Sequence, residues 1–253
     1  MGIKVSYMRD VYTKKEIENI SDATFTNAID WKRRTVNGIE YRDPDYNCCR
    51  LYDDVNNLFF EGKLEKSFDV YDKGQIVLLQ DGLRLTTDYI GPSLTSMKWA
   101  DIPDQEAWNI TVKCRTVGGH LIWPRIKNGV NPSKAVSGKC GYGISDRIDI
   151  ALYEIKCVLD KLNDLPTYNQ KLRNSLFLEE NMRWFAYKSF HEFCESFFLL
   201  GSFVDQNDEI IWMADPVLGK VDIKTMRSYI EKNYDAICTR NSNILNKIDK
   251  SQV

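Results

Sequence analysis

Residues 75–87, Gln-Ile-Val-Leu-Leu-Gln-Asp-Gly-Leu-Arg-Leu-Thr-Thr, set two short apolar runs on either side of Asp81-Gly82. An Asp-Gly pair accepts the positive φ angles of a two-residue hairpin turn, so Ile76–Leu79 and Leu83–Thr87 predict a β-hairpin. Downstream, 109–114 and 117–123 read as two further strands. The second is stopped by Pro124, which lacks the N–H that a sheet ladder needs. The middle of the chain is therefore expected to be a mainly antiparallel sheet. Upstream, residues 1–75 mix short apolar stretches with turn-rich pieces such as Asp43-Pro44-Asp45 and Glu61-Gly62-Lys63, and read as helices and loops.

Beyond a glycine-rich stretch the apolar period lengthens. Ile148, Ala151, Leu152, Ile155, Val158, Leu159 and Leu162 recur at steps of three and four, which predicts an amphipathic helix with Ser145 as its N-cap. A second helical pattern runs from Ser175 to Leu200 and is rich in Phe, Tyr and Trp, with Gly201 expected to end it. A third, over 222–238, is carried by Ile223, Met226, Tyr229, Ile230, Tyr234 and Ile237, and the polar tail after Thr239 is expected to fray. The expected fold class is α+β: a central, mainly antiparallel sheet followed by packed C-terminal helices, in a single domain over 1–253.

The 253 residues are 43% hydrophobic, 12% aromatic and 28% charged, close to an ordinary folded protein and unlike a disordered or collagenous chain. No apolar run reaches the roughly 18–20 residues of a membrane span, and Met1-Gly2-Ile3-Lys4-Val5 is too polar for a secretory signal. The expectation is a cytoplasmic protein with no membrane partner. Seven cysteines, odd in number and without a CxxC spacing, predict neither a disulfide framework nor structural zinc. With His120 and His191 the sole histidines, and neither HExxH nor an EF-hand loop, no metal site is expected.

A formal net charge of −2 argues against indiscriminate coating of nucleic acid, but the average hides an asymmetry. Between Ile110 and Arg147 stand Lys113, Arg115, Arg125, Lys127, Lys134, Lys139 and Arg147 against the single acid Asp146, giving +6 there and −8 elsewhere. The stretch closes in Gly138-Lys139-Cys140-Gly141-Tyr142-Gly143, which runs into a helix start. Glycines and free helical N–H groups suit a phosphate. It matches neither a Walker loop nor a dinucleotide fingerprint, and a solvated basic surface explains the same charges.

Within this candidate anion site His120 is the catalytic candidate, an imidazole able to act as acid or base near neutrality; a buried, backbone-bonded histidine is the alternative. Arg125, Lys134, Lys139, Arg147 and Ser145 are candidates for gripping phosphate. Asp146 and Asp149 share one face of a helical turn and either cap it or orient a basic residue or sugar hydroxyl. Asp88 and Ser93, in the hydroxyl-rich Thr86–Ser93, are supporting candidates or simply a turn. His191, inside the aromatic pattern, reads as structural.

Several of these segments together resemble an uncharacterised bacterial domain family of unknown function. The resemblance rests on Asp43-Pro44-Asp45, Leu58-Phe59-Phe60 with Gly62, TTDYIGPS at 86–93, TVGGHLIWPR at 116–125 and ISDRIDIALYEIK at 144–156. The last two match the family's GGH-I-FPR strand and I-x-DR-x-DLTL helix. It implies a family-like core over 41–215, followed by a C-terminal helix and tail over 216–253. The family's loop between these motifs, Asn-x-Ala-Arg-Gly, aligns Asn131 with its asparagine, but Ser133-Lys134 to Gly138 departs from it. Lys134 or Lys139 would then replace the arginine without its bidentate fork. The resemblance implies an intracellular bacterial or phage-borne protein and no particular reaction.

Three functional expectations follow. The first is a protein acting on a phosphate-bearing substrate, RNA or a nucleotide: a metal-independent nuclease or nucleotide-modifying effector, such as a toxin or defence protein. The second is a non-catalytic regulatory module that binds a protein partner, or a second copy of itself, through 177–200. The third is a transferase using a nicotinamide dinucleotide, whose pyrophosphate the basic stretch would hold.

Overall fold

The computed structural model describes residues 35–36, 39–40, 65–72, 75–80, 83–92, 94–114, 117–124, 147–177, 189–211 and 222–251. The strands are β1 (Thr35–Val36), β2 (Ile39–Glu40), β3 (Glu65–Asp72), β4 (Gln75–Gln80), β5 (Leu83–Tyr89) and β6 (His120–Pro124). The helices are α1 (Leu94–Trp99), α2 (Asp104–Cys114), α3 (Ile148–Leu159), α4 (Gln170–Leu176), α5 (Phe190–Ser196) and α6 (Ile223–Ser251), with one 3-10 turn at Val117–Gly119. Strands β3 to β6 pair antiparallel in chain order, Gln80 opposite Leu83 across Asp81-Gly82 and Tyr89 opposite His120.

The expectation of a central, mainly antiparallel sheet is corrected by the balance of elements, since helices hold most of the described residues in regular structure. Tyr89, His120 and Leu121, the strand residues whose burial is described, are buried together with side chains from the helices and their connections between Ile90 and Ile244. Among the described residues the protein is mainly helical. The two helices α3 and α6 organise its interior. Ten of the twelve residues of α3 are buried, Asp149 and Glu154 among them, and a helix covered on nearly all sides is an interior element. Helix α6 packs on α1, α2 and the 3-10 turn. Asp222 caps its start, accepting from the Thr225 N–H at 2.9 Å and the Thr225 hydroxyl at 2.7 Å.

Other expectations are also corrected. Residues 109–114 are helical, the second half of α2. Their β-branched residues suggested a strand, but Pro103 and two first-turn acids, Asp104 and Glu106, start a helix. Ala107, Thr111 and Cys114 then form its buried face, and the Thr111 hydroxyl is satisfied by the Ala107 carbonyl at 2.8 Å. Residues 117–119 form a 3-10 turn, so the strand begins at His120.

The single aromatic helix over 175–200 is also replaced. Helix α4 starts earlier, with the Asn169 side chain accepting from the Leu172 N–H at 3.0 Å, and α5 is a separate helix capped by Ser189, which accepts from the Glu192 N–H at 3.2 Å. It ends before Gly201, at Phe197, with Phe198 in the left-handed region at φ 57°. The tail after Thr239 is helical to Ser251, because Arg240 and Ile244 continue the buried stripe of α6.

Three helices close alike without glycine. After α1, α3 and α5 the residues Asp101, Lys161 and Phe198 all stand at φ 57°. The N–H one residue further on returns to the last turn: Ile102 to Met97, Leu162 to Cys157 and Leu199 to Cys194, at 2.8–3.0 Å. Arg227 adds to the first of these, donating to the Ala100 and Asp101 carbonyls at 2.8 Å each.

Candidate functional site

The Gly118-Gly119-His120 motif sits where α2, β6 and α6 meet. A Cβ on Gly119 would lie 1.7 Å from the Cys114 carbonyl oxygen, and one on Gly118 would lie 2.6 Å from Asn241 Oδ1 and 2.9 Å from the Ile237 carbonyl. Both glycines serve close backbone approach, Gly119 to the end of α2 and Gly118 to the side of α6. The contact is sealed by hydrogen bonds: Gly118 N–H to Asn241 Oδ1 at 2.7 Å, and Arg240 Nη1 to the carbonyls of Gly118 at 2.8 Å and His120 at 2.7 Å. Arg240 Nε reaches the Phe197 carbonyl at 2.9 Å. His120 itself is fully buried, its ring 5.5 Å from that of its cross-strand neighbour Tyr89.

From there a buried polar chain runs along α6. The Ile90 N–H donates to the Gly119 carbonyl at 2.9 Å, and the Ile90 carbonyl accepts from Asn233 Nδ2 at 3.1 Å. Asn233 Nδ2 also meets the Tyr229 hydroxyl at 3.2 Å, which accepts the Ile148 N–H at 3.3 Å. Over the Tyr229 ring, 4.9 Å from its centroid, lies the Arg147 guanidinium, paired through two nitrogens with both carboxylate oxygens of Asp149. Burial, followed by the Asp149 charge, pushes the Tyr229 phenol well above its ordinary range, so it stays neutral. His120 and Arg147, 27 residues apart in sequence, thus belong to one network.

A second buried pair braces the middle of α3. Arg173 pairs with Glu154 and donates to the carbonyls of Leu165 at 3.2 Å and Pro166 at 3.0 Å. Glu154 also accepts the N–H groups of Tyr168 and Asn169 at 2.6 and 2.8 Å. On the surface nearby, His191 Nδ1 lies 2.7 Å from Asp208 Oδ1, linking α5 to the turn at 205–209.

Of the candidate site residues, the structure brings His120, Arg147 and Asp149 into the same buried network. Asp88 stands in β5 opposite Leu121. Ser93, Arg125, Asn131, Lys134, Lys139, Ser145 and Asp146 lie outside the described residues. Helix α3 has Arg147 as its N-cap residue, with no side-chain cap. Tyr229, Asn233, Arg240, Asn241, Glu154 and Arg173 were not anticipated. The i, i+4, i+7 spacing of Asn233, Ile237 and Arg240 was the available signal, once polar residues are allowed on a helix's inner face.

Among the described residues no group of three or more His, Cys, Asp or Glu side chains could hold a metal ion, and no helix is long and apolar enough to cross a membrane. Cys114, Cys157, Cys194 and Cys238 are free thiols. In the aromatic stretch Phe190, Phe193 and Phe197 are buried, whereas Phe177 is 56% exposed.

Residues 21–244 match the model of a family of unknown function (DUF6994), and the chain belongs to that family. No curated protein and no solved structure matches it.

Proposed function

We propose that the protein binds a phosphate-bearing ligand, RNA or a nucleotide, through the cations of residues 125–146, held at either end by the buried network. The observation that supports this is the fate of Arg147. Its charge is consumed by Asp149 inside the protein, whereas the segment between Pro124 and Arg147 carries Arg125, Lys127, Lys134 and Lys139 against Asp146 alone. An arginine neutralised in the interior anchors the segment and leaves phosphate to the other four. In this reading Asn131 and Ser145 add neutral hydrogen-bond donors, and Asp146 and Asp149 orient cations. His120, buried against Tyr89, positions the strand that leads into the segment rather than exchanging protons with a substrate.

Binding of a labelled single-stranded oligoribonucleotide and of a labelled nucleoside triphosphate, measured over a salt series, tests this. With up to four phosphate contacts the logarithm of affinity for the single strand should fall against log salt with a slope of about −3. Binding of neither ligand at low salt would refute the reading. Conversion of the RNA or the nucleotide by wild type but not by His120→Ala would restore catalysis to the histidine.

A second reading, docking of a protein partner through 177–200, draws on the exposure of Phe177. The three buried phenylalanines of 190–197 leave less apolar surface for it than the sequence suggests.

A further inference from the structure

On the face of α3 away from the basic segment's anchor, a cavity of about 280 Å³ opens between the helix, the connection after it and the turn at 205–210. Its apolar lining comes from Leu162, Leu165 and Ile210, together with Tyr153 and Cys157. Burial pushes the Cys157 thiol upward and the Tyr153 phenol up to about 12, so both face the cavity as neutral groups. The Tyr153 hydroxyl is already committed to the Pro166 carbonyl at 2.9 Å.

The charged lining residues are Lys156 and Glu209. Lys156 Nζ donates to the Asp208 carbonyl at 2.7 Å, which fixes the ammonium at the cavity wall. Its other partner is the Glu209 carboxylate at 3.3 Å, a longer contact from a side chain that is 73% exposed, while Lys156 is 20% exposed. An ammonium held by a backbone carbonyl and covered at 3.3 Å by an exposed carboxylate beside apolar walls matches a molecule with one acid group and a hydrocarbon body. Exposed pairs of this kind contribute little, so a ligand carboxylate displaces Glu209 at small cost. The volume lies just under the roughly 300–1,000 Å³ of drug-sized pockets, which limits the ligand to a small one.

We propose that this cavity binds a small apolar carboxylate, its acid group replacing Glu209 on Lys156 and its body lying on Leu162, Leu165 and Ile210. The site is independent of the phosphate reading.

Calorimetric titration of the full chain with octanoate and benzoate, and with 1-octanol and benzyl alcohol as neutral counterparts, tests it. At least one acid should bind saturably at one site and at least tenfold more tightly than its alcohol. Glu209→Gln removes the competing charge from an exposed arm and should tighten acid binding about threefold or more. Lys156→Met should weaken it at least tenfold. Absence of saturable acid binding, equal binding of acids and alcohols, or an affinity unchanged or lowered by Glu209→Gln would overturn the proposal. The last comparison stands even where Lys156→Met fails to fold.

Discussion

Arg240 holds the carbonyl of His120 at 2.7 Å, from a helix 120 residues away in sequence, and the same guanidinium satisfies the carbonyls of Gly118 and Phe197. The histidine that most invited a catalytic reading is thereby fixed through its backbone, in a position where its ring is fully buried.

Replacing Arg240 by Met should strand these three buried carbonyl oxygens. At roughly 1–3 kcal/mol for each acceptor left unmade, the loss should be at least about 3 kcal/mol. Arg240→Lys should recover little, because an ammonium cannot present the planar fork that reaches three acceptors. Urea unfolding followed by circular dichroism measures both.

The Arg147–Asp149 pair should behave as a buried ion pair. Asp149→Asn leaves an uncompensated cation over Tyr229 and should destabilise by about 3–5 kcal/mol. The double change Arg147→Met with Asp149→Leu should cost markedly less than Arg147→Met alone or Asp149→Leu alone. A double-mutant cycle in urea reads the difference.

The two motif glycines should differ in tolerance. Gly119→Ala drives a Cβ into the backbone of Cys114 at 1.7 Å and should prevent folding. Gly118→Ala meets a side-chain oxygen first, at 2.6 Å, and should be destabilised by about 1–3 kcal/mol, with partial relief from Asn241→Ala. Expression yield and thermal melting distinguish them.

Acid should loosen the start of α6. The Thr225 backbone N–H, then its hydroxyl, holds the Asp222 carboxyl below its ordinary 3.8. A depressed carboxylate contributes stability that is fully present above the unfolded value and is lost as pH falls through the folded one. Amide protection factors at residues 223–226, taken relative to intrinsic exchange at each pH, should therefore fall only below about pH 4, and Asp222→Ala should remove that dependence while lowering protection at neutral pH.

Local signals were readable in the sequence. The pairing of Gln80 with Leu83 follows the two apolar runs of 76–87, and the apolar period of Ile148–Leu159 defines α3 without outside help. What escaped was long-range. Glu154, Asn233 and Arg240 look like solvent residues on helices until partners 19, 143 and 120 residues away supply their hydrogen bonds. The β-branched residues of 109–114 favour a strand locally, and burial of the Ala107–Thr111–Cys114 face overrides them. In the aromatic stretch, continuous periodicity masked Ser189, whose capping with Glu192 three residues on is a helix start. For the site, the charge excess of 110–147 was legible, but no charge count could separate the buried Arg147 from the other cations.

The division of labour between anchor and binding cations is tested most directly by measuring oligoribonucleotide affinity and melting temperature on the same samples of wild type and Lys134→Gln/Lys139→Gln. The account predicts an unchanged melting temperature, weaker binding and a salt slope shallower by about 1.4, the share of two phosphate contacts on a single strand. Affinity and slope equal to those of wild type in the double variant would contradict it.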